Sequence, residues 1–263
     1  MKRREFLVLA AGALLATPLL AAEPGKGLSL GAAINKAGRQ RMLSQRMAKA
    51  FAMQAAGVMP DKAGSLLDQS RRLFEAQLAE LKTLAPSEAI QAALADLDKA
   101  WAGYREVLAK PRTPENARLV LAESEKTLRA AHVLTGLYEK QAASSAGHLV
   151  NLSGRQRMLS QRMAKCFLFE QSGVAADSLK VELEAARRDF VAALAELNAA
   201  PQNNAEIRTE LGLANTQWMF FEQALNGQER NREIAARNVA TTSERILEVM
   251  DSLTGQYEKL VRG

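Results

Sequence analysis

The residues best suited to hold a small ligand are arginines inside a twelve-residue segment that the chain contains twice. Residues 38–49 read GRQRMLSQRMAK, and the same letters return 116 positions later, at residues 154–165. Twelve identical residues in a row indicate an internal duplication. The central arginines are Arg41 and Arg157, and a guanidinium group offers planar, forked N–H donors that match a planar oxyanion. We call this segment the box, and it is the least changed part of the repeat.

Written as a helix at 100° per residue, the box has two different faces. One face is apolar and is typical of the core side of an amphipathic helix. The other carries Gly38, Arg41 and Gln45, with Arg46 at its margin. A glycine inside a helix costs about 1 kcal/mol, but it lets a second backbone approach. This face therefore predicts a contact with another helix that holds an anion, and the alternative is a solvated basic face with an incidental glycine. The second box repeats the face with Gly154, Arg157, Gln161 and Arg162.

The segment from Ile34 to Arg46 resembles the P-box of the NarX/NarQ nitrate/nitrite sensor kinases. The fuller run QRMLSQRM is similar to the N-terminal domain of PilJ-type chemotaxis transducers. The resemblance implies an antiparallel four-helix bundle that senses a ligand outside the cytoplasmic membrane, with the box on its first helix. It also implies that Arg41 and Arg157 are the arginines that grip one nitrate at a two-fold interface. The family's lysine falls on Lys36, whereas the second repeat has Leu152 at that place.

The first 22 residues have the pattern of an export signal of twin-arginine type. Arg3 and Arg4 precede an apolar run from Phe6 to Leu20, and Ala22 offers a cleavage point. A membrane anchor is the alternative, although the run is shorter than the roughly 20 residues that span a bilayer. The sequence therefore predicts an exported, periplasmic protein.

Composition excludes several functions. The net charge of +6 is modest and does not indicate a nucleic-acid partner. A single cysteine, Cys166, allows no internal disulfide. His132 and His148 have no neighbouring pattern of metal ligands, and we expect both at the surface or at the junction between repeats. No nucleophile–base pair can be found by spacing, so the sequence predicts no catalytic residues, no metal and no cofactor.

Prolines and glycines divide the rest of the chain into long amphipathic segments, predicted as helices at about 28–56, 61–85, 86–109 and 114–143, and again in the second repeat. The predicted fold class is all-α, with two tandem antiparallel four-helix bundles over residues 28–143 and 147–263. Residues 144–147 contain one glycine and no proline, so the sequence leaves two arrangements open. The chain turns there and the bundles lie side by side, or one long helix continues and they stack end to end.

These observations predict an exported sensor or binding protein for a small oxyanion, nitrate or nitrite first, that acts through a membrane sensor or transport partner. The alternative is a helical interaction module, for dimerisation or for a partner associated with pili or chemotaxis, with no small ligand. Our hypothesis is one anion per chain, held jointly by the two central arginines across a pseudo-two-fold axis. Two independent sites, or a seam between two chains, are the competing arrangements. The predicted ligand-binding residues are Gly38, Arg41, Gln45, Arg46, Gly154, Arg157, Gln161, Arg162 and Lys36.

Overall fold

A computed structural model describes residues 28–174, 177–226 and 229–261, and within these ranges it contains eight α-helices and no strand. The predicted export signal, residues 1–22, lies outside the described residues. The first repeat forms α1 (Leu30–Ala55), α2 (Pro60–Lys82), α3 (Glu88–Leu108) and α4 (Pro114–Ala142). The second forms α5 (Ser145–Gln171), α6 (Asp177–Ala199), α7 (Ala205–Leu225) and α8 (Arg232–Val261). The all-α prediction is confirmed.

Helix starts follow local capping chemistry. Side-chain oxygens of Ser29, Ser87, Thr113 and Ser144 accept backbone N–H groups at the starts of α1, α3, α4 and α5. Such caps satisfy donors that have no partner within the helix. Pro114 occupies the first turn of α4, where its missing N–H costs nothing.

Both repeats pack the same aromatic pair at the core between their second and third helices. Phe74 stacks on Trp101 with ring centroids 4.3 Å apart, and Phe190 stacks on Trp218 at 4.4 Å. All four side chains are buried. The duplication has therefore preserved packing as well as sequence.

The two repeats lie side by side, with the two box helices packed against each other. The chain turns at Ala143, a non-glycine residue with φ 47°, and Ser144 then caps α5. Helix α1 packs on α2, α4 and α5, while α5 packs on α6, α8 and α1. Since the box helices are each antiparallel to both α4 and α8, α1 and α5 run parallel. Of the two arrangements that the sequence left open, the structure has the turned one.

None of the described helices combines the length and apolar character needed to cross a membrane.

Candidate functional site

The centre of the α1–α5 contact, which we call the seam, brings together Gly38, Arg41, Gly154 and Arg157. A Cβ atom placed on Gly38 would lie 3.2 Å from Arg41 Nη2 and 3.7 Å from Arg157 Nη2. A Cβ atom on Gly154 would lie 3.1 Å from Arg157 Nη2 and 3.7 Å from Arg41 Nη2. Both guanidinium groups therefore converge on the same small space. The glycines were predicted as points of close backbone approach, but the atoms that they make room for are those of the arginines.

Each arginine reaches across the seam to an asparagine of the other repeat. Arg41 Nη2 donates to Asn151 Oδ1 at 2.7 Å and to the Asn151 carbonyl at 3.3 Å. Arg157 Nη2 donates to Asn35 Oδ1 at 2.8 Å and to the Asn35 carbonyl at 3.2 Å. This reciprocal pairing follows from the parallel register, because a long helical side chain points back towards its own N-terminus.

The two asparagines are in turn held by carboxylates on the fourth helices. Asn35 Nδ2 donates to Glu258 Oε2 at 2.7 Å, and Asn151 Nδ2 donates to Glu139 Oε2 at 2.5 Å. Each amide thus joins a buried guanidinium to a carboxylate. The sequence prediction did not include these asparagines, although Asn35 and Asn151 recur at the same 116-residue offset as the box.

The pseudo-symmetry of the seam fails at one further contact. Arg41 Nη1 lies 3.4 Å from His132 Nδ1, whereas Arg157 Nη1 donates to the carboxylate of Asp251. Arg39 Nη2 donates to the same Asp251 oxygen at 2.7 Å. Within the part of the chain that the structure describes, only the second arginine therefore has a carboxylate bonded directly to it.

His132 and Asp251 occupy corresponding places in the two repeats. His132 precedes Glu139 by seven residues in α4, and Asp251 precedes Glu258 by seven residues in α8. His132 was expected at the surface or at the junction between repeats, and it is solvent-accessible and contacts the central arginine of its own repeat. Its role in the seam was not predicted.

Burial makes the arginine charges costly. Arg41 and Arg157 are 1% and 0% exposed. Burial, followed by the charges of Arg157 and Arg155, lowers the pKa of Arg41 to about 9. Burial also lowers the pKa of Arg157, to about 10, with Asp251 opposing the shift. Both side chains remain protonated at neutral pH, and the Nε of each has no hydrogen-bond partner among the described residues.

The remaining cations of the box connect each box helix to the fourth helix of the other repeat. Arg46 and Lys49 of α1 pair with Glu244 of α8, each with a nitrogen 2.5 Å from the carboxylate. Arg162 and Lys165 of α5 pair with Glu125 of α4 at 2.9 and 2.6 Å. The two lysine side chains are fully buried. These crossed ion pairs hold the repeats together.

The carboxylate of Glu244 shows how tightly this second set of charges is coupled. Burial alone would raise the pKa of Glu244, but Lys49 and Arg46 lower it to about 2. Burial lowers the pKa of Lys49 to about 8 despite the attraction of Glu244. Arg46 and Arg162 were predicted as ligand-binding residues, but their ion pairs within the described residues are with carboxylates.

The other predicted site residues also have partners away from the guanidinium groups. Gln45 Nε2 donates to the Ser124 carbonyl at 3.4 Å, and Gln161 Nε2 donates to the Ser243 carbonyl at 2.8 Å. Each therefore binds the fourth helix of its own repeat. Lys36 Nζ pairs with Glu80 at 2.6 Å. Of the nine predicted residues, the structure brings four together at the centre of the seam.

The chemistry available at the seam is anion binding and helix pairing. Four Nη2 hydrogen bonds end on the oxygens of Asn35 and Asn151, which occupy positions where the oxygens of a bound anion would accept. A bound oxyanion would have to replace these amide oxygens. Across the described part of the chain no group of three metal-ligating side chains occurs.

A comparison with protein families identifies this architecture. The family model described as "PilJ: Type IV pili methyl-accepting chemotaxis transducer N-term" matches the chain twice, over residues 26–129 and 140–247. Searches of curated proteins and of solved structures returned no match.

Proposed function

The chain belongs to the PilJ family of chemotaxis-transducer N-terminal domains, with two such domains in tandem, and we propose that it is a helical sensor or interaction module acting as an intramolecular pseudo-dimer. Domains of this family are sensor parts of transducers and are not catalytic. The module would be exported by its N-terminal 22 residues and would pass its state to a membrane sensor or transport partner.

One observation carries this proposal: the reciprocal Arg–Asn pairing between α1 and α5. Arg41 and Arg157 each bind the asparagine of the other repeat, so both box faces are used within one chain. With both faces in use, the seam supports pairing within one chain over pairing between two copies. The pairing also couples the two repeats. Because α1 cannot shift along α5 without breaking both Arg–Asn pairs, the repeats have little freedom to move independently.

The solution mass of the mature protein and a double-mutant cycle test the pseudo-dimer. We expect residues 23–263 to be monomeric at all concentrations in sedimentation. Arg41→Ala, Asn151→Ala and their combination should give a coupling energy of about 1.5–3 kcal/mol, the range for charge-assisted hydrogen bonds. A dimer that dissociates on dilution together with a coupling near zero would show that the box pairs between chains.

A second candidate function is the binding of a small oxyanion at the seam, with nitrate or nitrite first. Its specific support is Arg41, a fully buried guanidinium with an unpartnered Nε and no carboxylate bonded directly to it among the described contacts. The resemblance of the box to nitrate/nitrite sensors directs the choice of anion. Arg41 and Arg157 would be the principal donors, and an anion between them would remove their mutual repulsion.

Anion titration separates the two candidates. A ligand that binds only the folded state stabilises it by about 2.7 kcal/mol at a hundredfold excess over Kd. We expect nitrate or nitrite to raise Tm above a chloride control of equal ionic strength, with one anion per monomer by calorimetry. Arg41→Ala and Arg157→Ala should each abolish the effect. If all anions act alike, the seam is a structural contact and the interaction module without a ligand remains.

A further inference from the structure

A second group of arginines lines a pocket on the outer side of the first repeat. The pocket has a volume of about 230 Å³ and lies where α2, α3 and the loop before α4 meet. Arg71 from α2, Arg105 from α3 and Arg112 from the loop line it, and Asp68 is the one carboxylate in its wall. Three positive charges against one negative charge leave the pocket with an excess of positive charge.

Two of these arginines have guanidinium groups that are open to a ligand. Arg71 Nη2 is 3.8 Å from Asp68 Oδ1, and Arg105 Nη1 is 3.9 Å from Glu75 Oε1. Both separations are too long for a hydrogen bond. Neither guanidinium makes a hydrogen bond to any residue that the structure describes. This contrasts with the seam, where the Nη atoms are engaged.

Arg112 supplies a fixed wall for the same pocket. Its guanidinium carbon lies 4.4 Å above the ring centroid of Phe51, an arrangement that favours a cation. Its Nε donates to Gln54 Oε1 at 2.7 Å, and its Nη1 donates to the Leu108 carbonyl at 3.1 Å. The orientation of Arg112 is thus set before any ligand arrives, while Arg71 and Arg105 can adjust.

The second repeat does not reproduce this arrangement. Arg71 has a counterpart in Arg187, but alignment of the third helices on their tryptophans places Glu222 where the first repeat has Arg105. At the start of the fourth helices, Asn231 accepts the N–H of Ile234 as Thr113 accepts that of Asn116, so Arg230 stands where the first repeat has Arg112. The corresponding positions of the second repeat therefore hold two acids, Glu184 and Glu222, against two cations, so the excess of positive charge belongs to the arrangement in the first repeat.

We propose that this pocket binds a small multivalent oxyanion. The guanidinium groups of Arg71 and Arg105 donate hydrogen bonds to it, and Arg112 is the donor whose orientation is fixed beforehand. Asp68 offsets one of the three guanidinium charges, and the two that remain match a doubly charged phosphate or a di- or tricarboxylate. Arginine forks match both phosphate and carboxylate oxygens. The site is separate from the seam and does not depend on what the seam binds.

Calorimetric titration of the mature protein with inorganic phosphate and with citrate tests the site, with chloride at equal ionic strength as control. We expect one saturable site per chain for at least one of the two probes. The probe with the higher affinity shows whether the pocket prefers phosphate or carboxylate groups. Arg105→Glu, which installs the residue of the second repeat, should weaken binding at least tenfold. Because Arg105 is exposed, this variant should fold normally, as circular dichroism would show.

Two matched controls make the result specific. Arg187→Ala removes the corresponding arginine of the second repeat and should leave the affinity within twofold of the wild type. Arg105→Glu should leave any response of Tm to nitrate as it is in the wild type, which separates this site from the oxyanion candidate above. Equal affinity in wild type and Arg105→Glu, or heats for phosphate and citrate no larger than those for chloride, would overturn the proposal.

Discussion

The seam has two halves with the same design and one different residue. The first half consists of Arg41, Asn151, Glu139 and His132, and the second of Arg157, Asn35, Glu258 and Asp251. In each half an arginine binds an asparagine that binds a glutamate. The halves differ in the group that faces the arginine's Nη1, a histidine in the first and a carboxylate in the second.

The second half of the seam therefore contains its own anion, the carboxylate of Asp251. Asp251 compensates Arg157 and Arg39 together, whereas Arg41 reaches Glu139 only through the amide of Asn151. The causes of the pKa shifts agree, since the charge of Asp251 opposes burial at Arg157, whereas at Arg41 the charges of Arg157 and Arg155 add to burial and the opposing charge of Glu139 contributes least. The first half therefore carries the less compensated charge, and it should respond more strongly to protons and anions.

The largest expected effect comes from removing each arginine in turn. Arg157→Met leaves the Asp251 carboxylate with only Arg39, and removing one member of a buried pair costs roughly 3–5 kcal/mol. Because the Asp251 side chain is 43% exposed, solvent screening reduces the expected loss to about 2–3 kcal/mol. Arg41→Met loses the hydrogen bonds to Asn151 but also removes a buried charge and its repulsion with Arg157, so the net loss should be about 1 kcal/mol. Urea unfolding measures both, and equal losses would contradict the difference between the halves.

Exchanging the two residues that differ should make the halves alike. Asp251→His gives the second half the composition of the first, leaving Arg157 and Arg39 without their carboxylate, and should lower stability by about 2 kcal/mol. His132→Asp gives Arg41 a carboxylate and should raise stability by about 0.5–1 kcal/mol, since the position is solvent-accessible. If His132→Asp destabilises the protein as much as Asp251→His, the carboxylate is not what distinguishes the halves.

Much of this fold could be predicted because its signals are local. The predicted start of the fourth helix at Pro114 agrees with the structure, and the predicted ends of α1 and α4 are within one residue, at Ala55 and Ala142. Caps, prolines and glycines act over one turn of helix and are visible in the sequence. The turn between repeats was not decided, because Ala143 adopts a left-handed conformation without being glycine.

The site was predicted less completely because its partners come from distant parts of the chain. The convergence of the two central arginines followed from the face of the helix and the identical copy. Asn35, Asn151, Glu125 and Glu244 lie on helices whose register only the folded structure sets. A signal was present nonetheless, since Glu125 and Glu244 have the same 119-residue offset as Tyr138 and Tyr257.

Acidification should affect the two halves differently, because both histidines of the chain lie at the first half. Burial, and then the charge of Arg41, lower the pKa of His132 below its usual 6.5, with Arg155 adding to the shift and Glu139 opposing it. The unfolded chain then binds the proton more readily, so stability is complete above pH 6.5 and falls as the pH drops below it.

His148 should have the opposite dependence. Hydrogen bonds to Glu196 and Glu139 raise the pKa of His148 above 6.5. Its contribution is therefore fully present below pH 6.5 and is lost as the pH rises through the folded value. Denaturation between pH 5 and 8 separates the two. His132→Asn should lose less stability than the wild type on acidification, and His148→Gln should lose more. If the free energy of unfolding depends on pH identically in both variants, the two histidines do not have the opposite effects expected here.

The smallest expected effect concerns the two glycines, and it compares how freely each arginine can move. Gly38→Ala and Gly154→Ala each gain about 1 kcal/mol in helix propensity, but each new Cβ meets an Nη2 atom at 3.2 or 3.1 Å. Arg41, which has no carboxylate on its Nη1, can shift by a few tenths of an ångström at little cost. Arg157 is tied to Asp251 and cannot shift without weakening that ion pair.

Gly38→Ala should therefore leave the free energy of unfolding within about 0.5 kcal/mol of the wild type, while Gly154→Ala should be less stable than Gly38→Ala by about 1 kcal/mol. In the Asp251→His background this gap should close, because both arginines then face a histidine. Because the two asparagine contacts are alike, a gap that persists in that background would show that Asp251 is not what holds Arg157 in place.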